Sequence, residues 1–85
     1  MESRYILIEV MDGEYQTNVF YLDDIEDVYR KIEYATNKCV DWLHTITDRR
    51  YAVEFQKINE YHTISIITDV TDIYRNVVHY FIHKL

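Results

Sequence analysis

The sequence of 85 residues contains no proline, a single glycine and a single cysteine. Loops that cradle phosphate groups need several glycines, so a nucleotide-binding loop of this kind is excluded. Cys39 has no second cysteine with which to form a disulfide. It falls on an apolar stripe at helical spacing, which is typical of a buried, reduced thiol. This use of cysteine predicts a cytoplasmic protein.

Long apolar runs and positive charges are also scarce. No apolar run approaches the about 18 residues of a membrane helix, and MESRYILIEV lacks the basic region and cleavage site of a secretion signal. Lys and Arg number 9 against 15 Asp and Glu, for a formal net charge of −6. Because phosphates dominate affinity for nucleic acids, this charge disfavours direct nucleic-acid binding and favours a protein partner with a basic surface. We expect no membrane association.

The first part of the chain has the alternation of a β-hairpin. RYILIEVM and EYQTNVFYL flank Asp12-Gly13, a dipeptide that tolerates the positive φ angles of a tight turn. A turn centred there sets Ile8 opposite Thr17 and Ile6 opposite Val19. The predicted core face of this hairpin carries Ile6, Ile8 and Val10.

A second hairpin is predicted further along. YAVEFQKI and YHTISIITD alternate in the same way on either side of Asn59-Glu60. With the loop at those two residues, Ile64 lies opposite Phe55 and Ile66 lies opposite Val53. The apolar residues of both strands then share one face, which supports this register.

Each predicted hairpin is followed by the same phrase. Residues 24–32 read DIEDVYRKI and residues 69–77 read DVTDIYRNV. The carboxylates can accept the free amide hydrogens of a first helical turn, and they favour the positive end of the helix dipole. We therefore predict one helix from Asp23 to about Ile46 and a second from near Asp69 to the end of the chain.

Together these elements predict an α+β fold, ββαββα, in which a four-stranded antiparallel sheet carries two helices on one face. The chain is short enough for a single domain. Its two halves, at about 4–46 and 50–85, are related by an offset of about 45 residues. This offset favours internal duplication of a ββα unit, and the alternative is that two helix starts converged through capping rules.

Carboxylates gather at the two predicted helix starts. The residues concerned are Asp23, Asp24, Glu26 and Asp27 in the first, and Asp69 and Asp72 in the second. The simpler interpretation is helix capping. The other is a displayed cluster that imitates DNA phosphates and meets Lys and Arg of a nucleic-acid-binding protein. Tyr34, on the polar side of the first helix, is predicted to anchor the partner, because tyrosine is favoured at interfaces.

Apolar residues also occupy the sheet face that the hairpin prediction leaves open. They are Tyr5, Leu7, Phe20 and Leu22. A solvated sheet face normally carries polar side chains, so this patch favours an interface. A homodimer is the plainest explanation, and a foreign protein partner is the alternative.

No catalytic constellation is recognisable. Ser3 and Ser65 have no visible base, and the chain has no nucleophile-elbow motif. His79 and His83 share the polar face of the predicted second helix, but no further ligand motif completes a metal site. We therefore expect no enzyme activity, no metal and no cofactor.

In size, acidity and lack of motifs, the chain resembles in type the small bacteriophage-encoded antagonists of host defence. These include anti-CRISPR proteins, anti-restriction DNA mimics and uracil-DNA glycosylase inhibitors. The resemblance implies a non-enzymatic inhibitor that blocks a basic channel or an assembly surface of a complex in the host cytoplasm. Two alternatives remain open, an immunity or antitoxin-type inhibitor of a basic toxin and a structural homodimeric adaptor subunit.

Overall fold

The computed structural model describes residues 4–11, 17–46, 48–70 and 75–85. These residues form a five-stranded antiparallel sheet with a long helix across one face. In chain order the elements are β1 (Tyr5–Met11), β2 (Thr17–Leu22), α1 (Ile25–Ile46), β3 (Tyr51–Asn59), β4 (His62–Asp69) and β5 (Arg75–Lys84).

The sheet has the strand order β2-β1-β5-β4-β3. The last strand in sequence therefore lies at the centre, antiparallel to β1 on one side and to β4 on the other. The predicted ββαββα fold is wrong here, because the residues expected to form a second helix form a fifth strand. Residues 71–74, where the prediction places the first turn of that helix, lie outside the described residues.

The composition of β5 explains why it is a strand. Val78, Tyr80 and Ile82 lie on one side of the strand, and Val77 and Phe81 lie on the other with His79 and His83, so both sides carry apolar side chains. A helix of this sequence would bury one stripe and expose the rest, whereas a central strand places apolar groups on both sides of a sheet. The β-branched and aromatic residues in this segment also favour the extended conformation.

Internal duplication is not supported by the structure. Both halves contain a β-hairpin, but α1 follows the first hairpin and β5 follows the second. The repeated phrase opens α1 in the first half. In the second half it covers the end of β4 and the start of β5. The same local pattern is thus compatible with two structures, and the wider alternation of residues 75–84 decides between them.

Both hairpins form, but their registers differ from the predicted ones. In the first, Ile8 pairs with Val19, a shift of two residues that leaves each side chain on its predicted side. The predicted turn at Asp12-Gly13 lies outside the described part of the chain. In the second, Phe55 pairs with Ser65, a shift of one residue. A one-residue shift moves every side chain of β4 to the opposite face.

The turn between β3 and β4 accounts for the second shift. It is formed by Glu60 and Tyr61, one residue later than predicted. The side-chain oxygen of Asn59 accepts a hydrogen bond from the backbone N–H of Tyr61 at 2.7 Å, which closes an Asx turn. The pairing is also irregular between Lys57 and Asn59. The extra residue there shifts the rest of the ladder.

Helix α1 confirms the prediction of a first helix that ends at Ile46. Asp24 Oδ1 accepts a hydrogen bond from the backbone N–H of Asp27 at 2.9 Å. The N-cap is therefore Asp24 and not Asp23, and the helix begins one residue after the cap. Within the described residues, no helix combines the length and the apolarity needed to cross a bilayer.

Helix α1 covers the face of the sheet opposite to the predicted one. The core consists of Leu7, Val28, Ile32, Val78, Tyr80 and Ile82, and the partly buried Tyr5, Phe20 and Leu22 pack against it. The predicted open patch of Tyr5, Leu7, Phe20 and Leu22 is thus turned towards the helix, and Leu7 is fully buried. The side that carries Ile6, Ile8 and Val10, predicted to be the core face, has no helix on it.

Two neighbouring helix residues test this assignment of the core. Ile32 is 2% exposed and Glu33 is exposed. We expect Ile32→Ala to lower the free energy of unfolding by about 2–5 kcal/mol, because it leaves a cavity against the sheet. Glu33→Ala should change it by no more than about 0.5 kcal/mol. Urea unfolding followed by circular dichroism measures both, and equal losses would contradict the described core.

Candidate protein-binding surface

The helix-free side of the sheet, called the open face here, is apolar across four adjacent strands. Side-chain alternation places on it Ile6, Ile8 and Val10 of β1, Thr17, Val19 and Tyr21 of β2, His62, Ile64, Ile66 and Thr68 of β4, and Arg75, Val77, His79, Phe81 and His83 of β5. Val19 is 48% exposed, Tyr21 66% and Phe81 41%. Antiparallel sheets that face water normally carry polar residues on that side.

Charged groups lie at the margins of the open face. In the described parts of β1, β2, β4 and β5, its positions hold no carboxylate and no lysine. Arg75 lies at the start of β5, and Glu54 lies on the edge strand β3. A chain of net charge −6 thus keeps its carboxylates away from the centre of this surface. An exposed patch that is both apolar and uncharged marks an interaction site.

A cluster of three rings lies near the middle of the open face. His62 Nε2 and His79 Nδ1 are 3.1 Å apart, in a hydrogen bond in which one ring donates and the other accepts. The ring of Phe81 stacks on that of His62, with 4.5 Å between their centroids. His83, predicted to share a helical face with His79, lies four residues further along the same strand, about 13 Å away.

The carboxylates at the start of α1 are displayed but partly neutralised. Asp23, Asp24 and Glu26 are exposed, and Asp27 is half-buried. Arg30, one turn further on, lies 3.5 Å from the Glu26 carboxylate and 3.3 Å from that of Asp27. Such exposed ion pairs contribute little, about 0.2–1 kcal/mol each. With Asp24 engaged as the cap, Asp23 and Glu26 remain the best placed to meet a partner.

The second predicted carboxylate cluster is not displayed. Asp69 is 5% exposed, and its Oδ2 accepts a hydrogen bond from Arg49 Nη1 at 2.9 Å. This ion pair joins the segment after α1 to the end of β4 and stabilises the fold. Asp72 lies outside the described residues.

Tyr34 is exposed, but its surroundings are basic. Lys31 Nζ lies 5.1 Å and Lys38 Nζ 5.4 Å from the centroid of its ring, at cation–π distance. Lys31 Nζ also lies 4.4 Å from the ring centroid of Phe20. Helix α1 therefore has an acidic first turn and a basic middle, and Tyr34 does not belong to an acidic surface.

A buried polar cluster, which sequence reasoning missed, lies between α1 and the sheet. Tyr80 is 1% exposed, and its hydroxyl interacts with Thr36, Glu9 and Ser65. The hydroxyl of Thr36 donates to the carbonyl of Ile32 at 2.8 Å. Burial raises the pKa of the Tyr80 phenol well above its usual range. The Thr36 hydroxyl opposes this rise, and the charge of Glu9 adds to it.

Two hydroxyls beside this cluster are less well satisfied. Ser65 Oγ and Thr63 Oγ1 are buried without a hydrogen bond of good geometry, although Ser65 lies close enough to the Tyr80 hydroxyl to affect it. A cavity of about 460 Å³, whose lining includes Glu9, Thr36 and Tyr80, opens between α1 and β1, β2 and β5. Of the side chains that the structure describes, no three His, Cys, Asp or Glu groups lie close enough together to hold a metal ion.

The comparisons with known proteins assign no family. No protein-family model matches the chain, no curated protein matches its sequence, and no solved structure matches its fold. The function is therefore argued from the geometry of the described residues alone.

Sequence reasoning missed the open face as the exposed surface. It assigned His79 to a helix and treated His62 as a residue of unknown position. The signal that could have placed His79 on a strand lies in the strand pattern. VVHYFI carries apolar residues at both odd and even positions, as strands in the middle of a sheet do when both faces are covered.

The buried phenol of Tyr80 predicts a dependence of stability on alkaline pH. Because the pKa of Tyr80 is raised in the folded chain, the folded chain holds the phenol proton of Tyr80 more tightly than the unfolded chain does. The resulting stabilisation is complete below about pH 10, the ordinary tyrosine value, and is lost as the pH rises above it. Between about pH 9 and about pH 11, the free energy of unfolding should fall more steeply in the wild type than in Tyr80→Phe. Parallel slopes in chemical denaturation would refute this effect, since the other tyrosines are common to both proteins.

Proposed function

We propose that this chain is a non-enzymatic protein-binding subunit and that its binding surface is the open face. The observation that carries the proposal is the largely apolar surface across four strands, on which the described positions hold no carboxylate and no lysine and Arg75 lies at the margin. Leaving such a surface in water costs about 25 cal/mol for each Å² of apolar area. Monomeric proteins rarely expose contiguous apolar patches of more than a few hundred Å². Covering the face with protein removes this cost.

The shape and charge of the open face favour protein over other ligands. A sheet surface is broad, whereas small-molecule sites are concave and enclose most of the ligand. Its aromatic rings could stack on nucleobases, but single-stranded nucleic-acid sites combine stacking with a basic groove. The described parts of β1, β2, β4 and β5 contribute no lysine and a single arginine, Arg75, to this face, and the net charge of the chain is −6.

A second candidate function is inhibition of a protein with a basic surface, by the phage-antagonist or immunity-protein route. The observation that favours it is the exposed group of carboxylates at the start of α1. Arg30 offsets part of this charge, and Asp69 of the predicted second cluster is buried. Among the described residues of the two predicted clusters, the exposed carboxylates are those at the start of α1, and we rank this function below binding through the open face.

Two exposed phenylalanines on opposite sides of the sheet test the proposed surface. Phe81 lies on the open face and is 41% exposed, and Phe55 lies on the helix side of β3 and is 47% exposed. In a pull-down from a bacterial lysate, with captured proteins identified by mass spectrometry, we expect Phe81→Lys to lose the partner. With the purified partner, its affinity should fall at least about tenfold, because a charge is inserted into an apolar contact.

Phe55→Lys is the matched control, and it should bind within about twofold of the wild type. Circular dichroism and thermal unfolding establish that both variants are folded. Loss of binding in Phe55→Lys with full binding by Phe81→Lys would place the interface on the helix side and refute the proposed surface.

The acidic candidate has its own test. Asp23→Asn combined with Glu26→Gln removes two exposed charges and leaves the cap residue Asp24 in place. If α1 meets a basic partner, this variant should bind more weakly, and wild-type affinity should fall steeply between low and high salt, as interactions with basic surfaces do. Binding that is insensitive to salt and to both substitutions would exclude the acidic mode, whatever the outcome at Phe81.

A further inference from the structure

We propose that the open face binds a second copy of this chain about a two-fold axis, so that two sheets stack and both helices lie outside. The inference rests on the proposed function, because it names the protein that covers the same surface. It differs from the homodimer expected from the sequence, which would use the patch of Tyr5, Leu7, Phe20 and Leu22 that now lies under α1.

The charge distribution favours a second copy. Two chains of net charge −6 repel each other over most of their surfaces. The open-face positions of β1, β2, β4 and β5 carry no carboxylate, so two copies approach there with the least repulsion. A basic foreign partner would find no opposite charge at these positions. An apolar, uncharged partner surface is needed, and the chain itself supplies one.

The whole sheet on this side, with the polar edge strand β3 included, is large enough for a stable dimer. Its five strands, about 4.8 Å apart and each with about seven residues rising about 3.3 Å, span about 24 by 23 Å. The four apolar strands supply about four fifths of this area, and β3 lies at its rim. Stacking two such faces buries about 1,100 Å² in total, above the about 1,000 Å² that separates biological interfaces from chance contacts. Stacked sheets pack about 10 Å apart with interdigitated apolar side chains.

The centre of the face has the features of an isologous interface. In a two-fold dimer, residues near the axis contact their own copies. Strand β5 is the middle strand, and it places Phe81 between Ile8 of β1 and His62 of β4. Aromatic residues near the centre of an interface often dominate its affinity. The imidazoles of His62 and His79 already share a hydrogen bond, which lowers the cost of burying them.

Light scattering coupled to size exclusion tests the dimer. The chain has a mass of 10.4 kDa, and the wild type should elute at twice that value. Phe81→Lys should elute as a monomer, and Phe55→Lys should remain a dimer. Val19→Lys, at a 48% exposed position of the same face, provides a second variant in case Phe81→Lys fails to fold. A wild-type monomer, or a dimer that only Phe55→Lys disrupts, would overturn the inference.

This inference and the proposed function fail in different ways. A monomeric wild type whose foreign partner is lost in Phe81→Lys refutes the second copy but supports the binding surface. A monomeric wild type whose partner binding is unchanged in Phe81→Lys and Val19→Lys refutes both.

Discussion

The pairing of β5 with two strands is the constraint on which the rest of the structure depends. β1–β2 and β3–β4 are separate hairpins, and a lone hairpin is marginal in water. By forming a ladder with β1 on one side and β4 on the other, β5 joins them into one sheet. This position requires apolar side chains in both directions. The sheet therefore has two apolar faces, and the chain provides one helix among its described residues.

A single helix cannot cover both faces. α1, with 22 residues, is about 33 Å long and about 10 Å wide, so it covers the width of about two strands on one side. It lies over the Leu7 and Ile82 side, where Thr36, Glu9 and Tyr80 add a polar contact within the core. The side of Ile8 and Phe81 keeps its apolar character without a cover. The surface proposed for binding is thus a consequence of the strand order.

The abundance of carboxylates suggests a binding surface, but several of them have partners within the fold. Among the carboxylates at the start of α1, Asp24 caps the helix and two others pair with Arg30. Asp69 is buried in an ion pair with Arg49. Four of the 15 carboxylates therefore have partners within the fold, and the net charge of −6 disfavours approach by other anionic surfaces. The middle of the open face, which has no carboxylate, is where a partner meets least opposition.

The sequence by itself determined the local structure: two hairpins, a helix that ends at Ile46, and an acidic cap within one residue of Asp24. These features depend on near neighbours along the chain. Only the tertiary structure decided that residues 75–84 form a central strand, that Leu7 rather than Ile8 faces the helix, and that Asp69 is buried. Alternation along the chain does not show which of two apolar sheet faces the helix covers. It also does not show the one-residue shift in the pairing of β3 with β4 that arises near Asn59. Those outcomes depend on which distant segments pair, and the exposed face of the protein follows from them.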